Sequence, residues 1–143
     1  MSEVSDSELL GVIKDFLEMG HVENIAAMFR REPHYFNWTG AILDDERFNV
    51  RLGVSVLFEE LKRTHAGQLE QAISSLTPLL TSEKPHIRGE AVSILGIIAT
   101  SEARELIKEM RLDSNPQIRE ITEDILQELE ADSEPSPSQG SAF

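Results

Sequence analysis

The segments DERFNVRLGVSVLF (residues 45–58), SEKPHIRGEAVSIL (82–95) and DSNPQIREITEDIL (113–126) line up without a gap, and their alignment decides the fold. Each opens on a polar turn residue, Asp45, Ser82 or Asp113, and reaches an arginine six positions later, Arg51, Arg88 or Arg119. A β-branched apolar residue precedes each arginine (Val50, Ile87, Ile118). Val54, Ala91 and Thr122 follow three positions after it, and Phe58, Leu95 and Leu126 seven after. Three and seven residues are about one and two helical turns, so these positions share one face of a helix. The arginines lie 37 and 31 residues apart, room for one helical hairpin per copy, which is the signature of a helical repeat.

Outward from this register the same 3.6-residue periodicity runs through almost the whole chain, as in Leu9, Leu10, Ile13, Phe16 and Leu17, and no stretch alternates with period two. Turn residues cut the chain every ten to fifteen positions. Helices are expected at about 6–19, 22–31, 34–43, 48–63, 67–80, 85–99, 101–111 and 116–131. Ser5 with Glu8 spells a capping box, Ser101 offers a cap for the seventh helix, and Pro85 and Pro116 suit a first helical position. Pro78 should bend the fifth helix. Residues 1–131 then form one helical repeat domain, with hairpins at about 5–31, 34–63, 67–99 and 101–131. The first hairpin is degenerate, lacking both the arginine and the turn motif. Residues 132–143 read as a disordered acidic Ser/Pro tail, with a Ser-Pro pair at Ser136.

The turn residue, the proline, the apolar–arginine pair and the small-residue second helix resemble the HEAT-like repeats of the phycobilisome-lyase type, over residues 34–130. The resemblance implies an all-α fold, a short right-handed α-solenoid (α-α superhelix) of about four hairpins. Each hairpin has too narrow an apolar stripe to stand alone and buries it against its neighbours. Asp45, Arg51, Ser82, Arg88, Asp113 and Arg119 are expected to form a ladder, each arginine donating to the turn residue of its own or the preceding repeat.

Thirteen basic against 26 acidic residues give a formal charge of −13, which repels nucleic acid and anionic lipid and favours a protein partner with a basic surface. With no cysteine there is neither disulfide nor thiolate chemistry, and a cytoplasmic location fits. The N-terminal residues carry Lys14, Asp15 and Glu18 among their apolar positions and do not read as a signal peptide, and no apolar run is long enough to span a membrane. His21, His34, His65 and His86 are isolated, and the eight glycines form no phosphate loop. Paired His-Glu motifs, which the iron-dependent hydroxylases built on HEAT-like repeats carry, do not occur. The expectation is therefore a non-enzyme without cofactor or metal, a monomer or weak homodimer that works as an adaptor or assembly factor. The alternative is a lyase-like or chaperone subunit that positions a chromophore or prosthetic group on a target protein.

Second helices of a solenoid line its concave side. That makes Glu59, Lys62, Glu90, Ser93, Glu120, Glu123 and Asp124 the candidate partner-binding residues, a mostly acidic set. The aromatic group Tyr35, Phe36 and Trp38, with Phe29 upstream, is a second candidate, of which Trp38 joins the partner-binding set; three aromatics in four residues cannot share one helix face, so at least one should be partly exposed, although packing between the first two hairpins accounts for the group more simply.

Overall fold

The computed structural model describes residues 4–133, and all regular structure among them is helical. Residues 1–3 and 134–143, including the Ser-Pro pair and most of the expected tail, lie outside the described residues. Asp132 and Ser133, expected to open that tail, instead continue the last helix.

Helices α1 (Asp6–Glu18) and α2 (Val22–Arg31) lead into a 3₁₀ segment, Pro33–Trp38, that continues as α3 (Thr39–Leu43). After α4 (Phe48–His65) come a 3₁₀ segment (Ala66–Ala72), the single α-turn of α5 (Ile73–Leu76) and another 3₁₀ segment (Thr77–Thr81). Then follow α6 (Pro85–Ile98), α7 (Ser101–Glu109) with a 3₁₀ turn at Met110–Leu112, and α8 (Pro116–Ser133). The spans expected at 34–43 and 67–80 thus exist as helical rods of mixed hydrogen bonding rather than plain α-helices. Pro78 has no N–H for Ser74 and crowds that carbonyl, so the rod tightens into 3₁₀ geometry there instead of merely bending. In 33–38, four of six residues are aromatic or imidazole side chains with weak helix propensity, and Glu32 supplies no side-chain cap.

Local chemistry sets the other ends. The Ser5 hydroxyl accepts from the Glu8 N–H at 3.1 Å, and Pro85 and Pro116 open α6 and α8. The cap of α7 is Thr100, whose hydroxyl accepts from the Ala103 N–H at 3.2 Å; Ser101 is already the first helical residue.

Helices α1, α4, α6 and α8 stack side by side in one row, while 33–43, 66–81 and 101–112 lie behind it. Between the rows runs a continuous apolar core that includes Phe29, Phe36, Leu57, Phe58, Leu61, Leu76, Val92, Leu95 and Ile107, all buried. Two helix–helix junctions in the row close on glycine: a methyl on Gly53 would stand 2.8 Å from Leu17 Cβ, and one on Gly96 2.7 Å from Ile125 Cγ2. The result is a short all-α solenoid.

Candidate functional site

Three arginines repeat one geometry. Arg51 Nη1 donates to the Asp45 carbonyl at 2.9 Å, Arg88 Nη1 to the Ser82 carbonyl at 2.8 Å, and Arg119 Nη1 to the Asp113 carbonyl at 2.6 Å. Each guanidinium therefore closes the turn of its own repeat by satisfying an orphan carbonyl six residues back. Beyond their own turns, Arg51 and Arg88 reach forward to the following repeat, where the sequence pattern suggests the arginine's own turn or the preceding one. Arg88 grips Asp113 of the following repeat with Nε and Nη2, and Arg51 Nε donates to Glu90 Oε2 at 3.1 Å, because Ser82 has no carboxylate to offer. At the N-terminal end Lys14 Nζ lies 3.2 Å from Asp45 Oδ2, so a lysine on α1 stands where the later repeats carry arginine. Arg47 adds a second tie, its Nη1 reaching Asp15 and Glu18 of α1 at 3.0 Å while its Nε holds Asp45 at 3.0 Å, so two cations join the degenerate first hairpin to the ladder.

The carboxylates answer in their acidity. Burial pushes Asp45 towards its neutral form, but hydrogen bonds from the Arg47 side chain and backbone and from Lys14 outweigh it and hold the group at about 2. The Arg88 hydrogen bonds likewise hold Asp113 below the usual carboxylate range.

On the face of the row turned away from the rear helices, a trough of about 490 Å³ runs between α4, α6 and α8, lined among others by Glu59, Lys62, Ser93, Ile97, Glu128 and Asp132. A shallower depression of about 330 Å³ continues it towards the starts of the helices, past Phe48, Glu90 and Ile121, and Ser93 belongs to both. Beside the trough stands a ridge. Phe48, Leu52 and Val56, one per turn of α4, are 60%, 48% and 47% exposed. Its far flank falls to a third depression that Leu52 and Val56 share with Met19 and Val22.

The sequence candidates divide on this surface. Glu59, Lys62 and Ser93 line the trough together. Glu90 lines its shallower end but is engaged by Arg51, and Glu123 receives a 2.6 Å hydrogen bond from Arg111 Nε, so neither carboxylate is free for a partner. Glu120 and Asp124 are exposed on α8 outside the lining. Lys62 spends a donor on the Ile97 carbonyl, bridging α4 to α6. Trp38 lies apart, half-buried and edge-on to Tyr35 at 5.0 Å, beside Leu10 and Ala41, while Phe29, Tyr35 and Phe36 are buried as packing.

Sequence reasoning missed Phe48, Leu52, Val56, Glu128 and Asp132. A readable signal existed for the first three: α4 carries Val50, Val54, Leu57, Phe58 and Leu61 for the core, and the spacing 48, 52, 56 is a second apolar stripe that one buried face cannot absorb. Among the described residues no group of three or more His, Asp and Glu side chains is placed to hold a metal ion, and no helix is long and apolar enough to cross a membrane.

The profile of the HEAT repeats family matches residues 37–127, well over half of the chain. No curated protein matches it. HEAT repeats in general mediate contacts between proteins and typically serve as non-enzymatic scaffolds. All three turns, their arginines and the close-packed starts of α4, α6 and α8 fall inside the matched span, and the chain belongs to the HEAT repeat family.

Proposed function

We propose that this protein is a cytoplasmic, non-catalytic adaptor or assembly factor that binds a basic protein surface on its acidic concave face. One observation carries the reading. Among the described residues Glu59, Glu128 and Asp132 gather around the trough without an ion pair, with Lys62 the one cation in its lining. Ladder carboxylates such as Asp45, Asp113 and Glu90 are already neutralised by lysine or arginine, so the field left for a partner comes from the trough. Asp124, exposed at the end of the row, adds to it.

The test is affinity capture from native lysate with the wild-type chain and with the variant Glu59→Lys/Asp124→Lys/Glu128→Lys, followed by mass spectrometry. A protein held by the first and lost from the second supports the reading; a set of captured proteins identical for both rejects it. Glu90 and Glu123 are left intact because reversing them would break the bonds to Arg51 and Arg111.

A second reading, a phycobilisome-lyase-type subunit positioning a chromophore, draws on the trough's volume and its apolar Ile97, Ile125 and Leu129, which suit a small-molecule ligand. The same carboxylates would repel a pigment that carries acid groups. Titration with such a pigment, followed by its absorbance, separates the two readings.

A further inference from the structure

We infer that the concave face receives one amphipathic helix from its partner, laid alongside α4 with its apolar stripe against Phe48, Leu52 and Val56 and its basic flank over Glu59, Glu128 and Asp132. This rests on the proposed function and specifies the partner's chemistry.

Three features lead to it. Phe48, Leu52 and Val56 recur once per turn of α4, a step of about 6 Å along its axis, which matches the step between apolar positions i, i+4 and i+8 of a second helix lying beside it. These side chains are roughly half exposed although the chain has a well-filled core to receive apolar residues, and Met19 and Val22 widen the patch on one side. On the other side the patch changes abruptly to the trough with its unpaired carboxylates. The surface is thus apolar along one line and acidic along the next, and its complement is a helix apolar along one stripe and basic beside it.

Other occupants fit poorly. An added strand needs an edge of free backbone N–H and C=O groups, and the walls here are helices whose backbone is internally satisfied. A second copy meeting this face would set Glu59, Glu128 and Asp132 against their own images, between chains that each carry −13. Anionic lipid is repelled by the same charges.

The experiment is a binding titration of the full chain, by calorimetry and by amide chemical shifts, with three synthetic peptides. The first carries Leu at i, i+4 and i+8 flanked by Lys and Arg; the second scrambles that sequence at constant composition; the third replaces its basic residues by Glu. The first should bind, with the other two at least about tenfold weaker, and its largest shifts should fall on residues 48–59. Leu52→Ser/Val56→Ser should weaken it about tenfold while the variant keeps its folded helical circular-dichroism spectrum at the titration temperature, since both side chains already have about half of their surface in water. Equal binding of the scrambled peptide, or no loss in the double variant, overturns the helix; if charge reversal of Glu59 and Glu128 still removes the captured partner, the acidic adaptor reading stands without it. Concentration-dependent self-association abolished by the double variant would make a second copy the occupant and overturn the inference as well.

Discussion

Arg88 closes a two-pronged bridge on Asp113, with Nε donating to Oδ2 at 2.8 Å and Nη2 to Oδ1 at 2.9 Å, while Nη1 is committed to the Ser82 carbonyl. One side chain thereby joins its own turn to the next repeat. Both partners are largely removed from water, at 12% and 7% side-chain exposure, so the pair is screened less than the exposed pairs of this surface.

Removing that side chain should cost more than removing its counterpart at the open end of the row. Arg88→Ala leaves the Asp113 carboxylate with the Asn115 N–H in place of a charged partner and the Ser82 carbonyl without its guanidinium donor, and should destabilise by about 2–3 kcal/mol. Arg119→Ala loses a single bond at an exposed position and should cost less than about 1 kcal/mol. Urea unfolding measures both; equal losses would show that the forward bridge contributes nothing.

Two glycines should respond in opposite directions. A methyl on Gly40 would collide with the backbone carbonyl of Ser75, which cannot swing aside as a side-chain tip could, and would disturb the 3.0 Å bond from the Gly40 N–H to the Ser75 hydroxyl, so Gly40→Ala should lose at least about 2 kcal/mol. Gly11 sits in α1 with nothing within 4 Å of such a methyl. Gly11→Ala should gain about 0.5–1 kcal/mol through the stiffer unfolded chain and better helix propensity. Thermal melts of the two variants check the signs, and a stable Gly40→Ala would mean that α3 and α5 can separate freely.

Acid should dissolve the ladder from its carboxylates. The folded chain holds Asp45 at about 2 against an ordinary 3.8, and holds Asp113 below its ordinary value too. Between those values the unfolded chain binds more protons. The stabilisation is therefore complete above about pH 5 and drains away as pH falls through 4 towards 2. Asp45→Asn should lose on the order of 1 kcal/mol at neutral pH and converge on the wild type near pH 2. Circular-dichroism melts across that interval test this, and two parallel curves would exclude Asp45 as a source of the acid sensitivity.

The aromatic group should act on stability rather than binding. Phe36 is fully buried, 5.0 Å edge-on to Phe29 of the first hairpin and 6.0 Å to Phe58 of its own, and Phe36→Ala should cost about 3–5 kcal/mol. Trp38→Ala, half in solvent, should cost about 1–2 kcal/mol and leave partner capture intact. Loss of capture at an unchanged melting temperature would move the working surface to Trp38.

The turn residues, arginines and apolar positions of the repeat were legible because each obeys a local rule of spacing, and all eight expected helical spans occupy their places. What sequence left hidden was relational. Lys14 could not be recognised as a rung before α1 was seen to lie beside α4, since a lone lysine carries no register of its own. Glu90 and Glu123 look as free as Glu59 in a linear chain, and only the positions of Arg51 and Arg111 distinguish them. The acidic trough needed Glu128 and Asp132 from a stretch where a helix end and a tail compete, and α8 ran further than its apolar pattern required.

The cross-links between repeats are unevenly placed. Lys14–Asp45, Arg51–Glu90, Arg88–Asp113 and Lys84–Glu46 all sit near the turns that open α4, α6 and α8, whereas towards the other end of those helices the described residues show two ties, Arg30–Glu60 between α2 and α4 and Lys62 to the Ile97 carbonyl between α4 and α6. The row is bound like the pages of a book, sewn along one edge and loose along the other. The trough of Glu59, Glu128 and Asp132 lies along the looser edge, so a widening there would cost the Lys62 bond to the Ile97 carbonyl and leave the four pairs of the sewn edge in place.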